Sequence, residues 1–122
     1  RKLEVSEEIV RSRRNLGRLS EIISYIKENY TSEISLEKLS EVFGYSPTYL
    51  SRMFRKYAHM NYKSYLQSVR LEYAYRELMN TSNSIGEIAE HHGFTDARAF
   101  TRAFKTKYGM LPSEYKKTKN CS

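Results

Sequence analysis

The sequence predicts an all-α fold of seven helices, in which two copies of a helix, glycine turn, helix unit flank one long central helix. Three observations carry that expectation. Apolar residues recur at three- and four-residue spacing along most of the chain, and nothing alternates in the way a half-buried strand does. Proline occurs only twice in 122 residues, each time where a helix can begin. The pattern of residues 36–54 returns at 85–104.

Residues 1–18 hold six basic and three acidic side chains with scattered apolar ones, Leu3, Val5, Ile9, Val10 and Leu16. They fit either the end of a helix or a linker. From Leu19, the series Leu19, Ile22, Ile23, Ile26 and Tyr30 marks an amphipathic helix of about three turns. Ser35 is placed to cap a short second helix that reaches Phe43, where Gly44 supplies a permissive turn. Ser46-Pro47 combines an N-cap with proline at the first helical position, and this third helix reaches about Tyr57. Asn61 can cap the long helix, with Tyr62, Tyr65, Leu66, Val69, Tyr73, Ala74 and Leu78 inward, before the polar stretch 80–83. Ser84-Ile85-Gly86-Glu87 has the spacing of a capping box and starts a fifth helix that Gly93 ends. Thr95 or Asp96 caps a sixth through Tyr108, and Pro112 starts a short seventh.

LEKLSEVFGYS at 36–46 and IGEIAEHHGFT at 85–95 agree at an offset of 49, with Leu39 matching Ile88, Ser40 matching Ala89, Gly44 matching Gly93 and Tyr45 matching Phe94. After one inserted residue the match resumes at an offset of 50, pairing Leu50 with Phe100, Arg52 with Arg102 and Phe54 with Phe104. A short helix, a glycine turn plugged by an aromatic and a second helix form the helix-turn-helix layout. One such match is a weak signal, and two in one chain make coincidence a poor explanation. The organisation expected is a linker or end of a preceding domain over 1–18, a first helix-turn-helix subdomain over 19–60, a connecting helix over 61–80, and a second subdomain with the C-terminal tail over 81–122.

The second helix of each unit divides into two faces. Leu50, Met53, Phe54 and Tyr57 form the core stripe of the first, which leaves Thr48, Ser51, Arg52 and Arg55 outward. Phe100, Ala103 and Phe104 do the same in the second, leaving Arg98, Thr101, Arg102 and Lys105. Between Pro47 and Tyr57 lie three basic and no acidic residues, and between Ala97 and Tyr108 four basic and no acidic, whereas 19–43 holds five glutamates against two lysines. Concentrating cations on the two helices that would enter a groove is what phosphate neutralisation and guanine readout require. Arg52 and Arg102 are the candidates for guanine, and Arg55 and Lys105 for phosphate. A helix over 61–80 is about 30 Å long, close to the roughly 34 Å of one B-DNA turn, so one monomer could set both recognition helices in successive major grooves. Arg70 and Arg76 fit phosphate contacts or intramolecular pairs with Glu72 or Glu77 equally well.

Composition agrees with this. The formal net charge is +7 and the pI about 9.5, which favours an anionic partner. No apolar run nears the roughly 18–20 residues that span a bilayer, so a cytoplasmic location without membrane contact is expected. Cys121 is the only cysteine, and no carboxylate or cysteine stands at metal-site spacing beside His91 and His92; no metal or cofactor is expected. The start at Arg1 suggests a chain that begins partway through a longer protein.

With these residues in place, the chain resembles the DNA-binding domain of the AraC/XylS family of bacterial transcription regulators over about residues 19–117. The most specific stretches are YLSRMFRK at 49–56, YLQSVRLEYA at 65–74 and IAEHHGFTDARAFTRAFKTKYGMLPSEY at 88–115. The resemblance implies a seven-helix domain with two homeodomain-like helix-turn-helix subdomains that binds double-stranded promoter DNA. It most often activates transcription by contact with RNA polymerase, and usually follows an effector-binding or dimerisation domain. The family's contact sites fall on Thr48, Ser51 and Arg52 in the first unit and on Ala97, Arg98 and Arg102 in the second; Ala97 can offer at most a thymine-methyl contact. His59 stands where glycine is common, Leu111 where a small hydroxyl residue precedes the proline, and Lys116 where arginine often follows the tyrosine.

A rival from another class is a helical protein-interaction module whose basic faces bind an acidic partner, separable by the salt dependence of duplex binding. An RNA-binding or architectural role is disfavoured, because the eleven tyrosines fall mostly on inferred core stripes and offer no stacking platform. An enzyme lacks a nucleophile–base pair, metal cluster or phosphate-binding glycine loop.

Overall fold

The computed structural model describes residues 2–120 and, among them, contains seven α-helices and no strand. These are α1 (Lys2–Asn29), α2 (Leu36–Phe43), α3 (Pro47–Met53), α4 (Tyr62–Asn80), α5 (Ile85–His91), α6 (Ala97–Tyr108) and α7 (Pro112–Asn120). Cys121 lies outside the described residues. The stretch from Leu19 is thus the C-terminal part of a 28-residue helix that begins at Lys2.

Side-chain caps start α2, α3, α5 and α6 where the sequence places them. Ser35 Oγ accepts from Lys38 N at 3.0 Å and Ser46 Oγ from Tyr49 N at 3.1 Å, with Pro47 entering α3. Of the two residues open for α6, Asp96 is the cap, its Oδ1 accepting from Ala99 N at 2.8 Å. Each such cap contributes about 1 kcal/mol. At α5 the Ser84 hydroxyl accepts from Glu87 N and donates to the Glu87 carboxylate, both at 3.1 Å. The box therefore closes between side chains, without the usual return bond to the serine backbone.

α3 does not stay α-helical to Tyr57. After Met53 it widens into a π-helical turn over Phe54–Ala58 and stops at His59, whose backbone is left-handed at φ +58°. Wide turns of this kind, though rare within helices, do occur at helix C-termini. Histidine thus takes the conformation for which glycine is preferred, at some strain cost.

The chain forms two compact units. One holds α1, α2, α3 and the π turn up to Tyr62. It buries Leu19, Ile22, Ile26, Ile34, Leu39, Leu50, Met53, Phe54 and Tyr62. The Tyr62 hydroxyl donates to the Ile34 carbonyl. The other unit comprises Tyr30–Glu33 and everything from Lys63 onward. Its core joins Leu71, Ala74 and Leu78 of α4 to Ile88 and Ala89 of α5 and Phe100, Ala103 and Phe104 of α6, with Tyr75, Phe94, Tyr108 and Tyr115 packed against it.

Leu71 was not on the stripe read from the sequence. At 100° per residue, Tyr62, Leu66, Val69 and Tyr73 fall on one side of α4 and Leu71, Ala74 and Leu78 on nearly the opposite side. Two apolar stripes cancel the one-sided pattern that periodicity detects. The tyrosines also differ from expectation: of the eleven, only Tyr62 is buried and ten are half-buried. Their rings cover the core edges and their hydroxyls reach polar partners or water, as amphipathic rings do.

Candidate nucleic-acid interface

In the first helix-turn-helix unit, α2 and α3 meet at Gly44, where Gly44 N donates to Ser40 O at 2.9 Å. The Ser40 hydroxyl donates to the Tyr45 carbonyl across the turn, and the Tyr45 ring lies 5.2 Å from that of Tyr49. This fixes the face of α3. Leu50, Met53 and Phe54 are at most 3% exposed. Thr48, Arg52 and Arg55 are exposed and Ser51 is half-buried.

The second unit repeats the arrangement with other chemistry. Ala89 is fully buried in place of Ser40, Phe94 N donates to Ala89 O at 3.0 Å, and Phe94 sits 5.2 Å from Phe100. Arg98, Arg102 and Lys105 are exposed and Thr101 is half-buried. Each unit thus presents three outward side chains of the predicted set around one half-sunken hydroxyl, Ser51 or Thr101. Ala97 is half-buried at the first position of α6. Ion pairs among the described residues include Arg76 with Glu72 and His91 and His92 with Glu77. The five cations of the two outward stripes make none.

The remaining polar residues of the second unit hold its framework. Arg70 donates through Nε to Tyr30 O at 2.8 Å and through Nη2 to Ser32 O at 2.9 Å. Neither glutamate considered for it is its partner in these bonds. Arg76 pairs with Glu72 at 2.8 Å on an exposed face, an arrangement worth little by itself. Lys116 Nζ donates to the Thr81 carbonyl, which gives that position a structural role.

Glu77 meets both histidines, with His91 Nδ1 and His92 Nε2 each 2.9 Å from its carboxylate and Asn83 Nδ2 donating at 3.1 Å. The other His92 nitrogen is 2.9 Å from the Tyr30 hydroxyl. The neutral tautomer protonated on Nε2 serves both partners. Burial by itself would raise the Glu77 carboxyl, but the hydrogen bonds from Asn83, His91 and His92 outweigh it and hold the group below its ordinary range. Sequence spacing did not reveal this carboxylate, which lies 14 and 15 residues upstream of the pair. Among the described residues no cluster of three histidine, cysteine or acidic side chains could hold a metal ion, and no helix is long and apolar enough to cross a membrane.

Fold and surface together define a double helix-turn-helix domain, and the comparisons agree. A family model described as a helix-turn-helix domain matches residues 39–118. The multiple antibiotic resistance protein MarA of Escherichia coli is 34% identical over 109 residues, 88% of this chain and 86% of MarA. The structure of a transcriptional regulator from Chromobacterium violaceum, described as having an AraC-type DNA-binding domain, superposes with a TM-score of 0.79 at 25% identity, over 84% of this chain and 91% of that one. The DNA-binding domain of AdpA, solved in complex with a target DNA, has the same fold, with a TM-score of 0.79 at 23% identity over 84% of this chain and 93% of its own. The chain belongs to the AraC/XylS family of helix-turn-helix, DNA-binding transcription regulators.

Proposed function

We propose that this chain reads an asymmetric promoter site as a monomer, with α3 and α6 in successive major grooves of one duplex face. The observation that carries the reading is the pair of matched stripes, Thr48, Ser51, Arg52 and Arg55 against Arg98, Thr101, Arg102 and Lys105, outward on their helices and without a carboxylate partner among the described residues. Cations left unpaired on a recognition helix are available to phosphates and to guanine edges. The 19 residues of α4 make a helix about 28 Å long, near the roughly 34 Å of a DNA turn.

Arg52 and Arg102 take guanine in bidentate fashion, each contributing about 1–3 kcal/mol of discrimination. Arg55 and Lys105 take phosphates, and Arg98 and the two hydroxyls fill out the readout. Activation through contact with RNA polymerase is the regulatory outcome we attach to this reading, from family membership; run-off transcription on a selected site distinguishes it from repression. Replacing Arg52 or Arg102 with alanine should lower affinity for a selected site far more than for a scrambled duplex. Equal losses on the two duplexes would remove the base-reading assignment.

A further inference from the structure

We propose that the middle of α1, from Arg11 to Arg18, is a phosphate-binding arm that extends the DNA interface of the first helix-turn-helix along the flank of α3. The inference rests on the DNA-binding reading above and adds a surface outside residues 39–118, the stretch the family model matches.

Arg11, Arg14 and Arg18 stand at i, i+3 and i+7 of α1, with Asn15 beside them at i+4, so they share one stripe. Two contacts fix where that stripe faces. The Arg18 guanidinium lies 5.5 Å from the centre of the Tyr45 ring. The Tyr49 hydroxyl donates to Asn15 Oδ1 at 3.4 Å. Tyr45 belongs to the turn of the motif and Tyr49 to the first turn of α3, so the stripe runs beside the start of the recognition helix.

Between the two helices lies an open groove of about 170 Å³ lined by Asn15, Tyr49, Arg52, Met53, Lys56 and Tyr57. Arg52 is one of the proposed base readers, and Lys56 is exposed one position beyond Arg55. From Val10 to Ser20 the chain has four arginines and no acidic residue, and Arg11, Arg13 and Arg14 are exposed. Arg11 to Arg18 spans about 10 Å of helix, the axial rise of roughly three phosphates on one strand. A cationic rail of that length next to an inserted helix is placed to neutralise the strand that borders the groove.

The test compares the parent chain, an Arg11→Gln/Arg14→Gln variant and a charge-matched Lys27→Gln/Lys117→Gln control. Binding to a random-sequence duplex and to a selected site is measured across a salt series. Glutamine keeps the helix propensity of arginine, which circular dichroism verifies, and Arg18 is left in its contacts. The arm variant should lose affinity on the order of tenfold on both duplexes with their ratio unchanged. Its slope of log Kobs against log salt should shrink by about 2, near 0.9 per phosphate contact. The control should keep the parent slope. An arm variant with the parent slope would overturn the inference alone, as would a control that falls equally far. A helix arm that docks a second copy through exposed Val10 and Leu16 would give the former result. A parent chain that binds no duplex would overturn the DNA-binding reading and this inference together.

Discussion

In the first helix-turn-helix unit the recognition helix gives way to a π turn after Met53 and stops on a left-handed histidine; in the second it stays α-helical from Ala97 to Tyr108 and stops on a left-handed glycine. The turns differ as well. Around Gly44 an added Cβ would meet nothing within 4 Å, whereas at Gly93 it would lie 3.0 Å from Arg70 Nε and 3.1 Å from the Thr31 backbone. Two stretches with one apolar pattern have therefore been specialised. The second turn is locked against Tyr30–Glu33 by Arg70, while the first stands open and is held by the Ser40 hydroxyl and the tyrosines.

That contrast can be broken in order of effect. Gly93→Ala forces a Cβ against backbone at a left-handed position (φ +80°) and should destabilise the chain by about 2–3 kcal/mol in denaturant titration. Glu77→Gln should cost about 2 kcal/mol at neutral pH, because two histidines and Asn83 lose their carboxylate. Its pH dependence has a definite sign. The folded carboxyl is held below the ordinary carboxylate range by its hydrogen bonds, so its stabilisation is complete above that range and disappears as pH falls through the lower folded pKa. Parent and Glu77→Gln stability curves should then converge in acid. Gly44→Ala, with the same backbone sign but open space, should cost only about 1 kcal/mol. Smallest and of opposite sign, His59→Gly should stabilise by about 0.5–1 kcal/mol by relieving the left-handed backbone at φ +58°. A Gly44 variant as damaging as the Gly93 variant would remove the distinction between the turns.

Local signals made much of this legible. Ser35, Ser46, Ser84 and Asp96 cap helices because a hydroxyl or carboxylate three residues ahead of a backbone N–H is a short-range geometry that sequence spacing encodes. The core stripes of α3 and α6 followed from a single buried face. Features set by distant residues were not legible. Leu71 was missed because α4 has two opposed apolar stripes. The Glu77 cluster joins residues 14 and 15 apart, and the bonds of Arg70 to Tyr30 and Ser32 span 40 and 38. The ten half-buried tyrosines look like core residues to a periodicity argument, since the pattern registers a ring's face and not the exposure of its hydroxyl. The outward placement of Arg52, Arg55, Arg98, Arg102 and Lys105 was readable by elimination, once the apolar stripes were assigned.

The two outward faces carry different groups, two hydroxyls and two arginines on α3 and the π turn that follows it, and one hydroxyl with two arginines and a lysine on α6. The central claim is that they read different half-sites. Selection of bound duplexes from a random pool, run with the parent, Arg52→Ala and Arg102→Ala chains, tests it most directly. The predicted result is an asymmetric two-part site about one helical turn between centres, with Arg52→Ala relaxing preference in one part only and Arg102→Ala in the other. A palindromic site, or two variants that relax the same positions, would contradict it.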